Sequence, residues 1–302
     1  MGAGALAGAP VANAASAPTV GTGRSSNVTY SSAVVFATID PQAQPTTYVF
    51  QYGTTKAYGT QTPLAPAGSG SSSITVSQTL TGLAPLSTYH YRILATNPTG
   101  ASAGGDHTFA TGPVPLSLAI VGVPNPVVFG SPLFVEGTLS GSGAASHAVA
   151  LQANPYPYVS GFQTVGNAEL TNASGGFSFP YLGLLENAQL RVVTVGKPEV
   201  SSPVLLEGVA VRVTLHARAT RRRGFAHLYG SVSPAEVGAL VGFQLLTPGR
   251  SHNVGGTVVK AASTSASSFS RVIRVHRGLY KALVKIADGA HVSAYSAPVL
   301  IR

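Results

Sequence analysis

Apolar residues recur at every second position in short runs along the chain. Nowhere do they take the three-and-four spacing that would line one side of a helix. In Tyr48-Val49-Phe50-Gln51-Tyr52-Gly53 the aromatic rings fall to one side. In Val209–His216 the apolar phase is Val211, Val213 and Leu215, which turns Arg212, Thr214 and His216 to the other face. Phe225–Val232 points Ala226, Leu228 and Val232 inward and leaves His227 and Tyr229 outside. Phe269–His276 points Ile273 and Val275 inward and leaves Arg274 and His276 outside. Arg271 shares the inward phase of that run, so it is expected near a strand end or a bulge. Gly (35) and Pro (21) separate the runs and supply the turns that many short strands need. The pattern predicts an all-β chain of tandem antiparallel β-sandwiches.

A chain of 302 residues accommodates two or three such domains. Its second half repeats itself. Ser201-Ser202-Pro203-Val204-Leu205-Leu206-Glu207 aligns with Ser296-Ala297-Pro298-Val299-Leu300-Ile301-Arg302 at an offset of 95. Phe134-Val135-Glu136-Gly137 aligns with His227-Leu228-Tyr229-Gly230 at 93, and Gln189-Leu190-Arg191 with Leu279-Tyr280-Lys281 at 90. Each copy is therefore about 95 residues, with an early strand expected to end in Gly. Ahead of the repeat, Leu83-Ala84-Pro85-Leu86-Ser87-Thr88-Tyr89-His90-Tyr91-Arg92-Ile93 runs into Ala95-Thr96-Asn97.

That stretch resembles the L-x-P-x-T-x-Y corner of fibronectin type III domains, with Ser87 where Thr is usual. The resemblance implies that Leu83 plugs the core, Pro85 fixes the turn and the Tyr89 hydroxyl bonds back to upstream backbone. Val35 or Phe36 must then fill the space of the core Trp that this chain lacks. The reading YVFQYGTT at 48–55 is similar to a variant of that family common in bacterial secreted proteins. The two repeats resemble the immunoglobulin-like modules of such proteins. The expected organisation is a leader or tail over 1–18, a fibronectin type III-like domain over 19–112, and Ig-like sandwiches over 113–207 and 208–302. The links Thr111–Pro115 and Glu207–Gly208 are brief, which favours a rod with limited bending.

Cysteine is absent, which removes disulfides, thiol catalysis and Cys-ligated metals from consideration. The start of the chain is small and apolar and carries Ala12-Asn13-Ala14, an A-x-A cleavage pattern. Export is expected, to a secreted or cell-surface location. No 18-residue apolar run marks a membrane span.

Chemistry is hard to place. No metalloprotease, nucleophile-elbow, phosphate-loop or EF-hand motif occurs, and Pro198 after Gly196-Lys197 defeats a phosphate-loop reading. The nine acidic residues are scattered rather than paired on a motif, so neither a glycosidase nor a calcium loop is expected. Pro155-Tyr156-Pro157-Tyr158 and Phe162 offer rings for stacking on sugars, but read more simply as a proline-stiffened connection on a sandwich edge. No enzyme activity and no cofactor are expected.

Charge carries the sharpest signal. Residues 209–302 hold thirteen Lys and Arg against only Glu236 and Asp288, whereas residues 1–208 are slightly acidic. Such asymmetry speaks to anionic partners. If the first, second and fifth strands of the last sandwich are neighbours, their outer face gathers Arg212, His216, His227, Tyr229, Arg274 and His276. The loop Arg221-Arg222-Arg223-Gly224 then lies at one end. These are the candidate anion-binding residues, since guanidinium forks suit phosphate and carboxylate. The outward histidines could ligate a metal, but arginines beside them oppose a cation and none is expected. The partner expected is an anionic cell-envelope polymer or another surface protein, with nucleic acid less favoured. Against this stands simple solvation of an exported module, with Arg guarding sheet edges.

Overall fold

The computed structural model describes residues 15–263 and 267–302. The Ala12-Asn13-Ala14 motif, and with it most of the expected 1–18 leader, lies outside the described residues. No helix occurs among the described residues, and the strands build three antiparallel sandwiches. They fall into two compact units, one up to Val114 and one from Pro115 to Arg302.

The first unit is a single sandwich. Its long strands are β1 (Thr19–Ser26), β2 (Ser32–Asp40), β3 (Thr46–Gly53), β4 (Ile74–Thr81) and β5 (Thr88–Asn97). β1, β2 and β4 make one sheet; β3 and β5 centre the other. Alternation decides what is buried: Val35, Ile39, Phe50, Tyr91 and Ile93 close the core. Of the two candidates for the missing Trp, Val35 is fully buried and Phe36 only partly. The corner forms as its spacing implies. Leu83 is buried, and the Tyr89 hydroxyl accepts the Ala84 N–H at 2.9 Å while its ring stacks on Phe109 at 5.6 Å. Pro85 sits exposed in the turn, followed by Leu86 at φ 50°.

The second unit holds two sandwiches. In the former, β6 (Ser117–Val123), β7 (Leu133–Ser140) and β9 (Gly176–Tyr181) face β8 (Ala148–Pro155), β10 (Ala188–Thr194) and β11 (Leu205–Glu207). The chain then crosses by β12 (Val209–Ala210) into the third sandwich. There Arg212–Val213, β13 (His216–Ala219), β14 (Phe225–Ser233) and β17 (Ser267–Arg274) form one sheet. β15 (Leu240–Thr247), β16 (Arg250–Val258), β18 (Gly278–Lys285) and β19 (Val299–Ile301) form the other.

The repeat has a physical cause at its glycines. Gly137 lies opposite Phe177 and Gly230 opposite Phe269. A Cβ on Gly137 would fall 2.5 Å from the Phe177 ring, and one on Gly230 2.6 Å from the Phe269 ring. Both strands run on past these glycines, to Ser140 and Ser233, so the expectation that they end there is corrected. The register of the last strands also differs from the sequence alignment. Leu190 and Tyr280 pair with Leu205 and Val299. The Ser202 and Ser296 hydroxyls take the N–H groups of Val192 and Ala282, each at 3.0 Å. Ser202 therefore corresponds to Ser296, one residue off the aligned offset, and Glu207 to Ile301. A one-residue slip exchanges the two faces of a strand.

Glu207-Gly208 is not a free linker. Val127–Val128 pairs in parallel with β12, and Val209 N–H is further held by Asn187 Oδ1 at 2.7 Å. Val209 packs in the second core and Val211 in the third. Asn187 also donates from Nδ2 to Gly289 O at 2.9 Å and from its backbone to Ala290 O at 2.7 Å. Tyr156 belongs to this junction as well, for a Cβ on Gly289 would lie 2.7 Å from its hydroxyl. That ring is therefore engaged with the third sandwich rather than set on a free edge.

Arg271 lies mid-strand, opposite Leu228, rather than at an end or a bulge. It stays exposed by reaching across the open side of the sandwich, where its guanidinium donates to Gly256 O on β16.

Candidate anion-binding site

The loop after β13 is built by its own hydrogen bonds. The Thr220 hydroxyl donates to Arg222 O and Phe225 O, both at 3.0 Å. Phe225 N–H returns to Arg222 O at 3.2 Å, and Gly224 takes φ 76°, a conformation that glycine adopts without strain. Gly224 O then receives Val275 N–H at 2.8 Å, tying the loop to the end of β17. Across the opening, residues 275–277 are held by Tyr280. Its wholly buried ring brings the hydroxyl to His276 N–H at 2.9 Å and to His276 O at 3.0 Å. This second tyrosine corner secures one wall.

Between these walls, where β13 and β19 meet at the sandwich edge, lies a cleft of about 450 Å³. Arg218, Arg222, Arg223, Arg277 and Arg302 line it with His276, over a floor that includes Ala217, Ala226, Val275 and Ile301. No Asp or Glu side chain lines it. Among the described residues no arginine of the third sandwich forms an ion pair.

The expected residues divide among three places. Arg222, Arg223 and His276 meet in the cleft. His227, Tyr229 and Arg274 lie on the outer sheet face, where Tyr229 stacks between His216 (5.4 Å) and His227 (5.2 Å). Arg212 instead turns to the junction and donates to Ser131 Oγ at 3.3 Å. Arg221 is exposed in the loop but does not line the cleft. The sequence reading missed Arg218, Arg277 and Arg302 as site residues. The alternation through His216 could have placed Arg218 outside; nothing local brings Arg302 to Arg222.

The two acidic side chains of this sandwich are spent elsewhere. Glu236 Oε1 lies 3.0 Å and Asp288 Oδ2 2.8 Å from His291 Nδ1, and His291 Nε2 lies 3.0 Å from Leu185 O of the second sandwich. Nδ1 is thus shared between the two carboxyl groups, while Nε2 faces the carbonyl. Burial, then the charge of Asp288, raises the Glu236 pKa. Burial also acts on Asp288, but hydrogen bonds from the His291 side chain and backbone outweigh it and hold that carboxyl below its usual range. These three form the only group of three or more His, Asp or Glu side chains that converge among the described residues, and the contacts to His291 are at hydrogen-bond distance.

Glu207 is the other unusual acid. It is fully buried and neither oxygen has a hydrogen-bond partner. Burial pushes its pKa up to about 7.

No known family model matches the chain, and no curated protein matches it in sequence. Solved structures resemble it in fold. The FN1–FN3 domains of chicken CNTN1 are 14% identical, over 93% of this chain and 97% of that one, at a TM-score of 0.33. A tetra-tandem repeat from the extending region of a large adhesion protein is 14% identical, over 95% and 74%, at 0.32. Domains A168–A170 of titin are 12% identical, over 94% and 98%, at 0.37. The class of this chain is set by its own strands, which form tandem antiparallel β-sandwiches. Superpositions this loose say nothing about its ligands.

Proposed function

We propose that the chain is an exported, non-catalytic structural module, with sandwiches over 19–112, 113–207 and 208–302, that spaces or presents a surface contact. The observation that carries this reading is the junction after Glu207. A spacer must resist bending between its modules, and here backbone pairing, the Asn187 bonds and the His291 cluster all bridge the second and third sandwiches. Linkers that lack such bonds leave domains free to move. Backbone ¹⁵N relaxation tests it: the amides of 117–207 and 211–301 should share one rotational correlation time. Two distinct times would end the spacer reading. No helix among the described residues is long and apolar enough to cross a membrane. Fractionating the cells that make the protein tests export; recovery in the cytosol would overturn it.

A second reading is favoured by the cleft. The third sandwich would hold an anionic envelope polymer, because its arginines face solvent without acidic side-chain partners. Release from the envelope by a salt wash supports this contact, and retention through high salt opposes it.

A further inference from the structure

We infer that the cleft between β13 and β19 grips the charged groups of an anionic sugar polymer, and that the outer sheet face is not the binding site. The inference rests on the anion-binding reading above and adds its location and ligand class.

Three observations locate it. Five guanidinium groups meet here, while the only two acidic side chains of the sandwich are held by His291 at the junction. No acidic side chain offsets the positive potential of the cleft, and its apolar floor of Ala217, Ala226, Val275 and Ile301 strengthens the field above it. The backbone of both walls is fixed before any ligand arrives, one by Thr220 and one by Tyr280, so binding needs to order side chains but not the loops that carry them. The outer face offers less: Arg212 is engaged with Ser131, and Arg274 stands beside rings already stacked together.

The ligand class follows from size and from the aromatics. At about 450 Å³ the cleft is in the range of sites for whole molecules rather than one oxyanion. Proteins that hold single-stranded nucleic acid present free ring faces on which bases stack. Here the Phe225 ring, the one aromatic ring apart from the His276 imidazole that lines the cleft, lies under the Arg222 guanidinium, 4.1 Å from its centroid, and the exposed Tyr229 stands outside the cleft, flanked by His216 and His227. The site therefore takes hold of charge without holding bases. Guanidinium N–H groups would bind carboxylate or phosphate of the polymer in forked pairs.

The test uses the full chain in fluorescence anisotropy at about 50 mM salt. The probes are a labelled decamer of galacturonate, a sugar chain of carboxylates, and a labelled 20-residue oligothymidylate. Binding of the decamer is expected, weakened about tenfold or more in Arg222→Ala/Arg223→Ala/Arg277→Ala. It should change less than about twofold in His227→Ala/Tyr229→Ala, and oligothymidylate should bind about tenfold more weakly than the decamer. All five substituted side chains are exposed or half-exposed, and unchanged circular dichroism checks the folds. Failure of the chain to bind either probe defeats the anion-binding reading itself. Binding lost with the sheet-face variant but kept by the cleft variant overturns the location and spares that reading. Oligothymidylate binding as tightly as the decamer overturns the ligand class.

Discussion

Replacing Glu207 with glutamine removes a charge from a place where the fold supplies it no partner. The side chain is 0% exposed, and one oxygen sits where a Cβ on Gly122 would come within 2.5 Å. Val127 N–H, which donates to Gly208 O at 2.9 Å, offsets the desolvation only in part. An acid whose pKa rises from 4.5 to about 7 on folding binds its proton more tightly in the folded state. Its stability contribution therefore falls as pH climbs above about 4.5, and the loss is complete above about 7. At about 1.4 kcal/mol per pH unit, that interval amounts to about 3 kcal/mol. Glutamine keeps the shape and buries an amide at a cost that does not vary with pH. Between pH 4 and pH 8 the Glu207→Gln protein should thus gain about 3 kcal/mol on its parent. Hydrogen exchange of β8 and β10 amides in the full chain, corrected for intrinsic rates, measures this gap in the second sandwich itself. A gap equal at the two pH values, within about 0.5 kcal/mol, would refute the buried-acid argument.

Three further outcomes follow from close contacts. Gly230→Ala puts a methyl 2.0 Å from Thr214 O as well as against Phe269, and thermal melting of the third sandwich should show a loss of about 1–3 kcal/mol. Tyr280→Phe strips both hydrogen bonds from His276; it should cost about 1–2 kcal/mol and weaken decamer binding without touching any cleft arginine. Asn187→Ala leaves Val209 N–H and Gly289 O without their side-chain partner, so exchange at the Val209 amide should quicken about tenfold or more while the β14 amides stay protected.

Period-two alternation carried most of the fold. It set the inward and outward sides of β14 and β17, and the Tyr89 corner followed from a local spacing whose cause, a hydroxyl capping its own chain, is itself local. What lay beyond reading was non-local. The alignment of Ser201 with Ser296 looked sound because the following Pro-Val-Leu matches, yet the hydrogen bonds equate Ser202 with Ser296. With that register Glu207 falls on the core position of Ile301, so its burial was hidden by a slip of one residue. The cleft escaped for a similar reason. Arg218, Arg277 and Arg302 reach Arg222 only because β13 and β19, from opposite ends of the module, close one edge of the sandwich. Tyr280 could have been found: His276-Arg277-Gly278-Leu279-Tyr280 places a tyrosine four residues after the backbone it caps.

Central to this account is contact through a basic cleft that no acidic side chain lines, and the salt dependence of binding measures it most directly. Titrating the full chain with the galacturonate decamer from 50 to 300 mM salt should give a log K that falls linearly with log salt. In Arg222→Ala/Arg223→Ala/Arg277→Ala the slope should shrink by about two to three, close to one per lost contact. A binding constant indifferent to salt, or a slope unchanged in that variant, would contradict the account.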